Sequence, residues 1–507
     1  MRWDAGWMLR SGSTIMMWRD YHEFTKHSVA SLRRVQHVLD WANMPDPFRH
    51  YEGAPVLDLP AGPPAPEKPA LDVLRGVWGT TSVESGPAFL SQLLFYAAAV
   101  SASKLVPSAG YKYALRVNPS SGNLHPTEFH FVARGLKDWP DGLYHYRPSA
   151  HMAEQRAIGD VEWNGASSSA PLVFVLTSIA WREEWKYRDR AYRYCLLDIG
   201  HAWQALALAA QAIGCEAVAV GEFADDEISE SGRLPEDEWP MLVVELRGTT
   251  IPVRERDAVE SSWTEGVPNR LSQEVVAYPR IEGMHRATKL ASPIRPVSTE
   301  EPAQTDSGRI TLPSPESSTR CFGAVARSRR SALDFQGGAR PITQAQLSAI
   351  LVATCTPLAA DFARTSFIQL YIYVHRVDDL EPGVYRVWPE RMELEPIRLG
   401  DQRVAAAGLS LGQDLAGNAC VAFSMIGDLE RAARTYGDRG YRYVYFEAGA
   451  IGHRLYLAAE ALGLGGTGIG AFYDEEVRRY LDLTVADGQP VYHFAIGYPV
   501  TDSRLSA

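Results

Sequence analysis

Tyr187-Arg-Asp-Arg-Ala-Tyr-Arg-Tyr194 and, 249 positions later, Tyr436-Gly-Asp-Arg-Gly-Tyr-Arg-Tyr443 are two forms of one segment. The match continues outward without a gap. Asp198 answers to Glu447, Gly200 to Gly449, Gly214 to Gly463, Gly221 to Gly470, Phe223 to Phe472 and Asp225 to Asp474. Two unrelated amphipathic helices would share leucines and alanines, not a Tyr-Arg-Tyr, an Asp-Arg pair and the glycines beyond the helix. The chain is therefore read as two copies of one α+β unit, and so long a period marks a tandem domain and not a solenoid. At 507 residues the chain is also too long for a single core.

Around the repeat, apolar spacing predicts helices over His27–Trp41, Pro87–Ser101, Trp181–Ile213, Thr343–Thr354 and Tyr441–Leu462, with Gly214 as a C-cap. Strands are expected at Phe129–Val132, Gly142–Tyr146, Leu172–Leu176, Met241–Leu246, Gln369–Val374, Gly383–Val387, Cys420–Met425 and Val491–Gly497. The proline-rich run ending at Ala65–Pro69 admits no regular element. Between Ala291 and Arg320 prolines sit among serines and threonines, as in a linker or crossing arm. The expected division is a tail over 1–20, a first domain over 21–285, a linker over 286–320 and a second domain over 321–507.

A net charge of -11 argues against a nucleic-acid partner, because phosphate contacts need a basic surface. The five cysteines are scattered and form no Cys-x-x-Cys, so neither a disulfide framework nor a metal site is expected. No apolar run is long enough to span a bilayer, and the first seventeen residues lack a signal-peptide core, which points to the cytoplasm.

Three stretches carry polar chemistry. Pro119-Ser120-Ser121-Gly122-Asn123 offers hydroxyls, an amide and unencumbered N–H groups at one place, which suits a flat heterocycle with polar edges; an ordinary turn before a strand fits it equally well. Arg329-Arg330-Ser331 stands before a helix, where a basic pair is slightly unfavourable unless an anion is bound; a solvated basic pair is the alternative. Gly463 reads as a helix cap, while Gly465, Gly466, Gly468 and Gly470 exceed what a cap requires and, with Ala471, permit close backbone approach.

Arg329-Arg-Ser-Ala-Leu-Asp-Phe335, Gly463-Leu-Gly-Gly-Thr-Gly-Ile-Gly-Ala-Phe472 and Pro119–Asn123 together resemble the nitroreductase-family flavoproteins. Tyr21-His-Glu and Arg116-x-x-Pro-Ser-x-Gly are most similar to the SagB-type dehydrogenase branch, which oxidises azolines to azoles with FMN in ribosomal peptide maturation. The resemblance covers about residues 20–275 and 320–500. It implies a mixed sheet wrapped by helices. It also implies that the two copies form an intramolecular pseudo-dimer, and it leaves the oligomeric state of the chain open. FMN would take Pro119, Ser120, Ser121 and Asn123 from one copy and Arg329, Arg330, Ser331, Gly468, Gly470 and Ala471 from the other.

In azole-forming relatives a Lys-Tyr pair assists by proton transfer, and Lys186-Tyr187 occupies the matching place; a surface charge cluster is the competing reading. The second copy has Thr435 before Tyr436. His201 and His453 read as structural, and Arg504 is a weaker phosphate candidate. The complementary halves survive for one site only, which predicts one FMN per chain. Three activities remain open: oxidation of a small-molecule or peptide heterocycle, NAD(P)H-dependent nitro or quinone reduction, and a non-catalytic scaffold that binds a peptide partner.

Overall fold

The computed structural model describes residues 17–34, 38–106, 111–163, 169–255, 259–264, 266–293, 308–363 and 366–506. Residues 1–16 of the expected tail and 294–307 of the expected linker lie outside the described residues.

Two sheets repeat one strand order. In the first, Met152–Ile158, Gly142–Arg147, Thr127–Ala133, Leu172–Ser178, Trp239–Arg247 and Glu216–Val220 lie side by side. In the second, Glu393–Leu399, Gly383–Trp388, Ile368–Val374, Val421–Gly427, Gln489–Gly497 and Gly465–Ile469 follow in the same order. The duplication read from one helical segment therefore extends to six strands of each sheet. The ladders between these strands are antiparallel, not mixed. Parallel pairing among the described residues is confined to single bridges, such as Ser331–Gly466 and Ala219–Ala360.

The copies meet along their central helices, Ala191–Ala212 and Gly440–Ala461, both buried almost throughout. A Cβ on Gly200 would strike the Phe446 carbonyl oxygen, and one on Gly449 would strike that of Leu197. These four residues are two repeat-related pairs, so the contact is isologous and a pseudo-two-fold axis runs between the two glycines.

Two buried ion triads flank this axis. Asp474 accepts from Arg190 at 3.0 Å and Arg193 at 2.7 Å. Asp225 accepts from Arg439 and Arg442, each at 2.8 Å. Each carboxylate comes from one copy and its arginines from the other. A strap closes each triad. On one side the Thr25 carbonyl and hydroxyl accept from Arg190 and Arg193, and the His27 N–H donates to Asp474. On the other side Thr288 serves Arg439 and Arg442 in the same way, and the Leu290 N–H donates to Asp225. The straps belong to the helices Met17–Phe24 and Pro279–Thr288. His22-x-x-Thr25-Lys26 and His285-x-x-Thr288-Lys289 are thus a further repeat, offset by 263 positions rather than 249.

Three expected elements differ. Trp181–Ile213 is not one helix: Ala180–Tyr187 ends at Arg188, with φ 53°, and Ala191–Ala212 begins after a short turn. The turn aims Arg190 and Arg193 at Asp474, and its counterpart places Gly437 at φ 60°. His27–Trp41 gives only a helix over Val29–Arg34 and a single turn over Trp41–Asn43. There Asp40 and Asn43 dock on the first domain, the Asp40 carbonyl accepting from Trp185 and the Asn43 amide pairing with Glu274. Pro87–Ser101 becomes a helix over Gly86–Ala97, because the chain enters a hairpin at Val100. Leu505–Ser506 joins that hairpin, so the end of the second copy lies on the first. The described end of the linker packs as an arm, with Ile310–Thr311 on the second sheet and the Pro313 carbonyl accepting from Ser348. No helix among the described residues is long and apolar enough to cross a membrane.

Candidate functional site

The Pro119–Asn123 loop is held from within. The Ser120 hydroxyl accepts from the His125 N–H at 2.8 Å. Ser121 donates both its N–H, at 3.0 Å, and its hydroxyl, at 2.9 Å, to Asp198 on the central helix. The Asn123 amide donates to the Ala114 carbonyl, and its oxygen faces the His125 ring nitrogen. Pro119 is buried, so the loop presents chiefly the exposed backbone of Gly122. The side chains of Ser121 and Asn123, expected at a ring edge, brace the loop instead.

Lys186 and Tyr187 form the last turn of the helix Ala180–Tyr187 and are half-buried. The Lys186 amine and the Tyr187 hydroxyl each lie 2.8 Å from where a Cβ on Gly122 would stand. Gly122 has φ 59°, and any side chain there would both strain the turn and displace the pair. The Tyr187 ring lies 4.2 Å from that of Tyr194, whose hydroxyl donates to the Gly470 carbonyl of the other copy at 3.0 Å. Tyr194 therefore links Tyr187 to the glycine strand across the domain boundary.

On that strand Gly468, Gly470 and Ala471 are half-exposed. A Cβ on Gly468 would strike the Tyr492 hydroxyl, and one on Gly470 the Tyr194 ring. Tyr456 ties the strand to the arginine segment: its hydroxyl accepts from the Gly468 N–H at 2.9 Å and meets that of Ser331 at 2.8 Å. Arg329 is buried and donates to the Val117 and Arg116 carbonyls, both at 3.1 Å, just before the Pro119–Asn123 loop. Arg330 donates to the Arg327, Arg329 and Ser101 carbonyls. Among the described residues neither arginine has a carboxylate at ion-pair distance; Glu460 pairs with Arg320. Burial, then repulsion from Arg329 and Arg327, lowers Arg330 to about 10. A buried and a half-buried cation whose hydrogen bonds go only to neutral carbonyls are costly, and an anion bound there would lower that cost.

The opposite, repeat-related position is filled. Counting from the Pro69–Cys321 bridge, Val77-Trp78-Gly79 stand where the second copy has Arg329-Arg330-Ser331. The loop over 359–362 pairs directly with the strand Glu216–Val220. The Ala219 N–H donates to the Ala359 carbonyl at 2.8 Å, and the Gly221 N–H to the Asp361 carboxylate at 2.8 Å. Phe362 stacks on Tyr443 at 4.3 Å and 9°, and packs against Trp203 at 5.7 Å. Trp203 is wholly buried and corresponds to Gly452 in the second copy. Ala219 and Gly221 are buried where Gly468 and Gly470 are half-exposed.

Several residues here escaped sequence reasoning: Asp198, Tyr194, Tyr456 and Tyr492. Trp185, with Trp41 at 5.3 Å, packs with Leu124 and Trp181 as an aromatic wall beside the loop. The positions of Asp198 and Tyr194 in the repeat could have drawn notice. His201 meets the Tyr492 hydroxyl at 3.0 Å, and burial lowers it to about 3, so it is neutral. Arg504 pairs with Asp502, and its carbonyl accepts from the Leu105 N–H of the hairpin.

The nitroreductase family model matches residues 96–248 and 326–498. A protein of Methanocaldococcus jannaschii named as a nitroreductase is 35% identical over 171 residues, 31% of this chain and 83% of the relative. The trifolitoxin operon protein TfxC of Rhizobium leguminosarum bv. trifolii is 30% identical over 138 residues, 27% of this chain and 38% of the relative. A crystal structure named as a nitroreductase from Anabaena variabilis superposes with a TM-score of 0.76 at 27% identity, covering 96% of this chain and all of that one.

Proposed function

The chain belongs to the nitroreductase family, and from that premise we propose that it is an FMN-dependent dehydrogenase of the SagB type. In this reading it oxidises a peptide or peptide-like azoline to the azole at one site between its two domains. The reading rests on one observation above all. Lys186 and Tyr187, set against Gly122, meet the half-exposed glycine strand of the other copy through Tyr194.

FMN, when bound, supplies a two-electron acceptor for substrate hydride. The residues of this chain fit it. Arg329 and Arg330 would hold its phosphate end; among the described residues their hydrogen bonds go to backbone carbonyls. Tyr492 and Tyr194 pack where side chains on Gly468 and Gly470 would stand, and the half-exposed backbone of Gly468, Gly470 and Ala471 would lie beside a flat ring. Aromatising an azoline also releases a proton, and Lys186 takes it with Tyr187 as relay. Trp181, Trp185 and Leu124 keep the loop side of the site dry. The relative named for the trifolitoxin operon is in keeping with a biosynthetic substrate.

Lys186→Ala and Tyr187→Phe are each expected to slow oxidation of a synthetic thiazoline peptide by ~10²-fold or more, with flavin retained, the scale of lost acid–base help. The rate is read from azole absorbance. A double variant as fast as the wild type defeats the assignment. If anaerobic NAD(P)H bleaches the flavin rapidly and the thiazoline is untouched, the reductase reading replaces this one. A protein that takes up no flavin on reconstitution is the scaffold.

A further inference from the structure

Glu183 lies one turn before Lys186 and Tyr187 on the helix Ala180–Tyr187, wholly buried, and among the described residues neither carboxylate oxygen has a hydrogen-bond partner. An ionised carboxylate so placed is expensive, and an ordinary structural carboxylate would be paired or solvated. Its surroundings belong to the site. Ser121 holds Asp198 from one side of the loop, and Gly122 touches Lys186 and Tyr187 from the other.

We propose that Glu183 is a proton carrier for the Lys186–Tyr187 pair: it receives the proton that the pair takes from substrate and passes it on. The idea rests on the dehydrogenase reading above, and the chemistry balances. With FMN held by the residues named above, the substrate would give one hydride to the acceptor that the cofactor supplies and one proton to Lys186–Tyr187. Glu183, already protonated at rest, takes that proton as it gives up its own, which restores the pair. The proton leaves to water while an external two-electron acceptor such as dioxygen reoxidises the cofactor.

The charges facing Glu183 support this. Lys186 and Arg182 share its helix, and Asp198 faces it from the central helix; Cys195, on that helix, and Tyr187 both feel its charge. Burial and then Asp198 push the Glu183 carboxyl well above the usual range, and burial lifts Asp198 itself to about 7. Two buried carboxyls beside one amine hold at least one exchangeable proton at neutral pH. A group of this kind gains or loses a proton whenever the charge of Lys186 changes.

The test is infrared spectroscopy in the protonated-carboxyl region, on full-length wild type and Glu183→Gln. The FMN-bound proteins are compared before and after reduction by dithionite, and the flavin-free proteins are titrated with pH. Wild type is expected to show a carboxyl band that responds to both, and Glu183→Gln to lack it while keeping its melting temperature. The pH profile of thiazoline oxidation in Glu183→Gln should lose or shift one limb, with KM unchanged, whereas a merely structural role would leave the profile in place. Identical spectra from the two proteins overturn the proposal. If Lys186→Ala abolishes oxidation while Glu183→Gln matches wild type in spectrum and profile, Glu183 alone is refuted. If the protein binds no flavin, the dehydrogenase reading falls, and the flavin-free titration still decides whether Glu183 holds the proton.

Discussion

Asp474→Ala is expected to lower the stability of the chain by about 3–5 kcal/mol, the scale of removing one partner from a buried ion network. The cost arises because Arg190 and Arg193 stay behind, both nearly inaccessible and now without their carboxylate. Burial by itself would raise the Asp474 carboxyl, and the two arginine charges reverse that and hold it below the ordinary range. Its stabilising charge is therefore present above about pH 4, the unfolded value, and is lost as pH falls through the lower folded value. Asp225→Ala should cost as much, because Arg439 and Arg442 repeat the arrangement. The two variants differ in a second respect. Arg190 also reaches the Gly470 carbonyl in the open site, whereas Arg439 reaches that of Gly221 in the filled one. Asp474→Ala should therefore weaken flavin retention and Asp225→Ala should not. Urea unfolding followed by tyrosine and tryptophan fluorescence measures the first claim. A loss under 1 kcal/mol for Asp474→Ala would mean that the arginines find other partners, contrary to the geometry.

These triads also show how far the sequence could be read. Among the residues that survived in both copies, Arg190 and Arg193 against Arg439 and Arg442, and Asp225 against Asp474, pair across the axis. Their identity was legible, because each is required twice. Their pairing was not, because a repeat says which residues correspond and not which ones touch. The straps were missed for a different reason: an offset of 263 is invisible to a gapless comparison at 249. At the site, the loop, the arginine pair and the glycine strand could be named in advance. The inward commitment of Ser121 and Asn123 could not, since it depends on where Asp198 and Ala114 come to lie. Lys186 and Tyr187 were recognisable as a pair, while the break at Arg188 that ends their helix against Gly122 depends on a local φ of 53° that arginine rarely adopts.

One FMN per chain is the expected stoichiometry, although the fold offers two repeat-related positions. The open position has Arg329 and Arg330 without carboxylate partners and a half-exposed glycine edge. The other has Val77 and Trp78 in place of the arginines, and its strand edge is taken up by the backbone and carboxylate of Asp361. Phe362 and Trp203 fill the adjoining space, both essentially inaccessible. Admitting a ring there would mean breaking several backbone hydrogen bonds and expelling two aromatic side chains. Each buried aromatic removed from its packing costs roughly 3–5 kcal/mol, and a phosphate in the same place would find no arginine pair. Arg330→Ala should lower FMN affinity roughly 10- to 100-fold, the scale of one charge-assisted contact. Arg75→Ala is the control, because Arg75 corresponds to Arg327 and is paired with Asp72 at 3.8 Å on the side of the filled position. FMN released by denaturation and measured by absorbance against protein concentration gives the ratio. A value near two would show that the loop over 359–362 opens to admit flavin, and flavin lost equally from Arg75→Ala and Arg330→Ala would remove the distinction between the two positions.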